Sequence, residues 1–259
     1  MANPIEIKLS RALVGSVLGG VTLAFAWAGP AGAEAQVTAP ANDPAQGLML
    51  SSERYRGTLG QPPAPGSRAE ADDLAILRWN QRTRTPDSIA HSWSYLDRNP
   101  GRFSAAIGND LLKGAPAVAR GLQAFLQRVD SVKDELKDQL ARPRPYVSHT
   151  DLRPCLPLEN SASFPSGHAT WYAAAAQLLA DLLPERRERL LEVGRQGGFA
   201  RASCGVHYPS DVLASQRLGE AIGRDVIASP QWRRFRDQSQ SALENLLTPA
   251  PAGLPALVD

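Results

Sequence analysis

Between about residue 71 and residue 247, apolar positions recur at intervals of three and four, the spacing of one face of an α-helix. Leu74, Leu77 and Trp79 mark a first helix, and Asp87 to Leu96 and Phe103 to Leu112 mark two more. The longest pattern runs from Pro116 to Leu140, with Val118, Leu122, Phe125, Leu126, Val129 and Leu136 as its apolar stripe. Pro116 suits a first turn, where the missing N–H would have no helical partner. Arg142-Pro143-Arg144-Pro145 must end this helix, because proline removes a donor and clashes with the preceding turn. After a loop to Pro165, the segment Gly167 to Leu183 is apolar on nearly every side, the pattern of a helix inside a bundle. Pro184, Pro209 and Pro230 open three further helices, ending at about Ala202, Ala228 and Leu247. No alternating pattern of strand type competes and no internal repeat is present, so the prediction is one all-α domain over residues 71–247.

The flanks differ. Residues 34–70 are rich in Pro, Gly, Ala and Ser and predict an extended segment laid over the surface. Residues 248–259 predict a loose tail. Lys8 and Arg11, the apolar run from Ala12 to Trp27, and Ala31-Gly32-Ala33 have the layout of a signal peptide over residues 1–33. A membrane anchor is the alternative reading of that run. No later stretch is long and apolar enough to span a bilayer, so the expected location is periplasmic or secreted, with no membrane partner after signal removal. Export changes the reading of the two cysteines. In an oxidising compartment Cys155 and Cys204 form a candidate disulfide, closing a loop of about 50 residues worth ~4 kcal/mol in the chain-entropy model. Two buried thiols are the alternative. A formal net charge of +2, with no basic run interleaved with aromatics, excludes a nucleic-acid footprint.

Three clusters carry candidate chemistry: Lys137 with Arg144-Pro145, then Pro165-Ser166-Gly167-His168, then Arg201, His207 and Asp211. Taken singly, each has a plain structural reading. Lys137 lies in a charged run, Arg144 can cap a helix end, and Asp211 can be a first-turn acid. Taken together they suit a tetrahedral oxyanion. Two guanidiniums offer forked donors and Lys137 offers a point charge. The Ser166 hydroxyl and Gly167 amide stand at a helix start, where the dipole favours an anion. His168 and His207 can then divide two tasks, one neutral for attack and one protonated for release. Asp211, four residues after His207, can accept the Nδ1 proton and leave Nε2 free, which makes His207 the better nucleophile and His168 the better acid.

This three-part pattern resembles the signature of the type 2 phosphatidic acid phosphatase and vanadium haloperoxidase superfamily, and within it the bacterial class A non-specific acid phosphatases. The segment Cys204-Gly205-Val206-His207-Tyr208-Pro209-Ser210-Asp211-Val212 and the position of Cys155 extend the likeness, which covers roughly Ala71 to Leu247. The resemblance implies a single-domain helical bundle of the acid phosphatase/vanadium haloperoxidase type. It implies hydrolysis of phosphate monoesters through a phosphohistidine on His207, with phosphate held by Lys137, Arg144, Ser166, Gly167 and Arg201. It also implies no cofactor and no catalytic metal, and His91, His149, His168 and His207 show no metal-ligand spacing. Ala200 stands where the family has serine, Ala162-Ser163-Phe164 replaces Gly-Ser-Tyr, and Ala169 replaces threonine; these bear on substrate range and pH optimum. A vanadate-dependent haloperoxidase, a lipid phosphate phosphatase and an exported phosphate-capture protein are the competing readings. Oligomeric state, a homo-oligomer included, stays open.

Overall fold

The computed structural model describes residues 43–247. The signal-peptide segment and the C-terminal tail lie outside them. The described elements are α1 (Ser52–Leu59), α2 (Arg68–Thr83), α3 (Pro86–Trp93), α4 (Ser104–Ile107), α5 (Leu111–Gly114), α6 (Pro116–Leu140), α7 (Pro145–Ser148), α8 (Gly167–Leu182), α9 (Arg187–Ser203), α10 (Pro209–Ala228) and α11 (Pro230–Leu247), with 3₁₀ turns before α4 and α9. Among the described residues there is no strand, and no helix is long and apolar enough to cross a membrane. The fold is all-α.

Local chemistry sets these boundaries. Pro86, Pro116, Pro145, Pro209 and Pro230 each occupy the first turn of a helix. Ser67 and Thr85 accept the exposed amides of Glu70 and Ser88. α6 ends at Ala141, whose φ of 35° is left-handed, immediately before the Arg-Pro pairs. Two expectations change. Residues 52–59, expected as extended chain, form α1, with Tyr55 and Leu59 buried and Tyr55 Oη donating to Asp225 Oδ2 at 2.7 Å. Eight residues are too few for a periodicity to emerge between the proline-rich flanks. The Phe103 to Leu112 segment is not one helix. Gly108, at φ 88°, ends α4, and Asp110 starts α5 by accepting the amides of Leu112 and Lys113.

α8 lies at the centre and packs against α6, α9 and α10. It is buried all round because Ala173–Ala176 admit neighbours at short range. Opposite it stand glycines. A Cβ at Gly194 would lie 2.5 Å from Ala176 Cβ, one at Gly197 would enter the Tyr172 ring, and one at Gly219 would overlap the Thr170 carbonyl. Trp232 of α11 closes the far side edge-on against Phe125 of α6, with centroids 5.0 Å apart. Cys155 and Cys204 form a disulfide, Cα atoms 4.8 Å apart, which ties the loop after α7 to the end of α9.

Gly219→Ala should destabilise the fold by about 1–3 kcal/mol, the usual cost of overpacking. Gly57, whose Cβ would meet nothing within 4 Å, is the control. Gly57→Ala should be neutral or stabilising by up to ~1 kcal/mol. Urea midpoints at constant m-value measure both.

Candidate active site

The first cluster arrives from the end of α6. Lys137 is 8% exposed, and its Nζ donates to the Ala162 carbonyl at 2.6 Å. Burial, with Arg144 and Lys133 nearby, lowers its pKa to about 7. Arg144 is 2% exposed and spends its donors on several acceptors. Nε reaches Ser161 O at 2.9 Å, Nη1 reaches Val206 O at 2.9 Å, and Nη2 reaches Ser161 Oγ at 3.0 Å and Glu159 Oε2 at 2.6 Å. Arg201, at the end of α9, is fully buried, and its Nη2 pairs with Glu159 Oε1. Arg201 Nε and Nη1 are buried with no hydrogen-bond partner among the described residues. A buried guanidinium with free donors is costly, and an anion of more than two oxygens would satisfy it.

The second cluster opens α8. Ser166 is its N-cap, accepting Ala169 N at 3.4 Å, while its own amide donates to Ser215 Oγ at 2.7 Å. Ser215 Oγ in turn donates to the Asp211 carbonyl at 2.6 Å, which ties the starts of α8 and α10 together. A Cβ at Gly167 would stand in ordinary contact with the Lys133 side chain, 3.6 Å from its ammonium. His168 Nε2 lies 2.7 Å from the Leu96 carbonyl, a bond in which the ring donates. Burial and the Arg201 charge lower the His168 pKa to about 3.

His207 is 1% exposed. Arg144 Nη1 lies 3.0 Å from its Nε2, and since a guanidinium can only donate, Nε2 carries the lone pair. The proton is therefore on Nδ1. Burial, Arg144, Lys137 and Arg201 all hold the ring well below the ordinary imidazole value, so it is neutral. Asp211 Oδ2 is 3.6 Å from Nδ1, beyond hydrogen-bond range. Ser163 Oγ stands beside both, 3.4 Å from Nδ1 and 2.5 Å from Asp211 Oδ2. The same Asp211 oxygen accepts the Tyr208 amide at 3.1 Å. Asp211 thus starts α10 and faces His207 at once, and the direct bond expected from the spacing is replaced by a contact involving Ser163.

The three clusters meet here: Arg144 reaches His207, His207 faces Asp211, and Ser166 is tied through Ser215 to Asp211, while His168 bonds to Leu96 within the field of Arg201. Several residues that matter were not singled out in the sequence. Arg142, 7% exposed, donates to Asp211 Oδ1 at 2.6 Å and to Ser210 Oγ at 3.0 Å, with its guanidinium carbon 3.7 Å from the Tyr208 ring centroid. Ser210 is held by Asp73 of α2 through both its amide and its hydroxyl. Glu159 joins Arg144 to Arg201. The available signals were slight: Arg142 is the other arginine of an Arg-Pro-Arg-Pro run, and Glu159 is the single acid between Asp151 and Asp181.

Residues 116–235 match the PAP2 superfamily. A non-specific acid phosphatase from Providencia stuartii is 25% identical over 198 residues, 73% of this chain and 80% of that protein. An acid phosphatase from Zymomonas mobilis subsp. mobilis is 27% identical over 206 residues, 74% of this chain and 76% of that protein. A non-specific acid phosphatase from Salmonella typhi is 36% identical over 148 residues, 55% of this chain and 57% of that protein.

Burial raises the Asp211 pKa, while Arg142 and the Ser163 hydroxyl pull against it. Removing Arg142 strands a buried charge. Arg142→Ala should cost about 3–5 kcal/mol, and Asp211→Asn in the same chain should recover much of it. A double-mutant cycle from urea unfolding checks this. Additive losses would show that the two side chains are not coupled.

Proposed function

Since the chain belongs to the PAP2 superfamily, we propose that it is an exported acid phosphatase that hydrolyses phosphate monoesters without a metal ion, using His207 as nucleophile and His168 as general acid. The observation that carries this reading is the pair of buried, unpartnered donors on Arg201, which shares Glu159 with Arg144, while Arg144 Nη1 lies 3.0 Å from the lone pair on Nε2 of the neutral His207. Export rests on the sequence of residues 1–33 and the expected periplasmic or secreted location follows from it.

The steps follow from the placement of these groups. The phosphoryl oxygens take the donors of Arg201, Arg144 and Lys137, with the Ser166 hydroxyl and Gly167 amide at the positive end of the α8 dipole. As Arg144 Nη1 turns from His207 Nε2 to a phosphoryl oxygen, the freed Nε2 lone pair attacks phosphorus. A P–N bond forms as the P–O bond to the leaving group breaks, and His168 gives its proton to the departing oxygen. Nε2 of His168 is committed to Leu96, which leaves Nδ1 for this task. In the free enzyme burial and Arg201 keep His168 neutral in mild acid. Negative charge on the bound phosphoryl group offsets Arg201 and raises that value, so the acid is loaded as substrate binds. The phosphohistidine carries positive charge shared with Nδ1, which the Asp211 carboxylate, 3.6 Å away, stabilises through space. Water then attacks phosphorus, His168 takes its proton, and the P–N bond breaks to release phosphate and neutral His207. The charge a metal would supply in other phosphatases comes here from Lys137, Arg144 and Arg201.

His207→Ala should abolish turnover and leave inorganic phosphate binding largely intact, because the cations remain. Wild-type enzyme quenched in denaturant at alkaline pH during turnover of labelled substrate should carry acid-labile label; the variant should carry none, and label on the variant would refute the assignment.

His168→Ala should slow alkyl phosphates by about 10²–10⁴ and activated aryl phosphates far less. Equal losses on both would place His168 in phosphate positioning instead. The acid limb of kcat/KM attributable to His207 should fall well below the ordinary imidazole value of 6.5, since burial and three cations disfavour its protonation.

A further inference from the structure

The cradle of buried cations already holds an anion. Glu159 lies in the loop between α7 and α8, and its two carboxylate oxygens are divided between Arg144 Nη2 and Arg201 Nη2. These arginines come from positions 15 and 42 residues away in sequence and are 2% and 0% exposed. Its backbone is pinned on both sides by one hydroxyl: Tyr146 Oη accepts the Glu159 amide at 3.0 Å and donates to the Glu159 carbonyl at 2.7 Å. The side chain itself is 36% exposed, so it is the solvent-side member of an otherwise closed cluster. The loop backbone is held, while the carboxylate is reached by solvent.

We propose that Glu159 is the resident anion of the phosphate cradle, a carboxylate that the phosphoryl group must displace, and that it thereby sets the enzyme's affinity and selectivity for anions. The inference rests on the phosphate-site reading above. The geometry explains why phosphate wins and a carboxylate does not. Glu159 has two oxygens and both are spent, yet Arg201 Nε and Nη1 still lack partners. A tetrahedral phosphoryl group brings a third terminal oxygen and more charge. A free monocarboxylate offers nothing that Glu159 does not already provide without loss of translational freedom. Glu159 therefore screens out weak planar anions and eases departure of the phosphate product by returning to the guanidiniums.

The exchange is linked to protons. The charged and titratable groups around the Glu159 carboxylate are Arg144, Arg201, His207, His168 and Lys137. Although burial acts to raise it, the two arginines hold the Glu159 pKa at about 2. Once displaced into solvent the carboxyl returns toward its ordinary value of 4.5. Displacement thus takes up a proton between those two values. Above 4.5 Glu159 competes fully; as pH falls below it, phosphate affinity in the wild type gains up to about tenfold per pH unit relative to a protein without the carboxylate.

The test is inorganic phosphate binding, by calorimetry and as a competitive inhibitor, in wild type, Glu159→Gln and Glu159→Asp, with circular dichroism melts on each. The expected result at about pH 6 is phosphate binding at least tenfold tighter in Glu159→Gln, with acetate becoming an inhibitor of that variant alone. Glu159→Asp, too short to bridge both arginines, should fall between and stands in for Glu159→Gln if that variant does not fold. The gap should narrow as the pH is lowered to about 3.5. Phosphate binding that is weaker or unchanged in folded variants would overturn the proposal and make Glu159 a brace for the arginines. Failure of the wild type to hydrolyse any monoester, with the affinity gain still present, would sink the phosphatase reading and keep Glu159 as the competing anion. No phosphate binding by any of the proteins would end both.

Discussion

The structure turns on the burial of two guanidinium groups. Arg144 and Arg201 are almost wholly removed from water, and an uncompensated buried charge costs several kcal/mol. The loop between α7 and α8 exists in its observed form to meet that cost. It presents the Ser161 carbonyl and hydroxyl and the Glu159 carboxylate in one direction, and Val206 adds a carbonyl from the other side. Tyr146 and the Cys155–Cys204 bridge hold the loop in place. What the protein itself leaves unsatisfied on Arg201 is the demand that a ligand can fill.

Close helix packing is what brings the charged ends together. Gly194, Gly197 and Gly219 let α9 and α10 approach α8 at backbone range. The start of α8, the end of α9 and the start of α10 then meet, and these three termini carry Ser166 to His168, Arg201, and Asp211. Larger side chains along α8 would push the termini apart and scatter the cations. The alanine run that reads as a plain buried helix is thus a condition for the site.

The same cations set the state of both histidines. Arg144, Lys137 and Arg201 attract an anion and, with burial, keep His207 neutral; Arg201 does the same to His168. A neutral His207 in mildly acidic solution, as the proposed nucleophile requires, is a direct outcome of this field. A protonated His168 is not, and in the proposed mechanism it requires the negative charge of a bound phosphoryl group. Arg142 separates the two problems by pairing with Asp211 from the far side, so that the carboxylate near His207 is balanced without using a cradle cation.

The helical class and most helix limits from Pro116 onward were legible in the sequence, because prolines and apolar periodicity act locally. α1 was not, since eight residues between proline-rich flanks carry too little periodicity, and its burial depends on Asp225 and the core it meets. The spacing of His207 and Asp211 correctly put both at one end of α10 but could not show that 3.6 Å separates them or that Ser163 stands alongside. Arg142, Asp73 and Glu159 were silent for the same reason. Each acts on a group far from it in sequence, and a charge becomes a partner only when packing fixes its distance. The chain by itself determined which chemistry is available; the tertiary structure decided which nitrogen of His207 carries the lone pair and which carboxylate already occupies the arginines, because both depend on contacts between segments that only folding brings together.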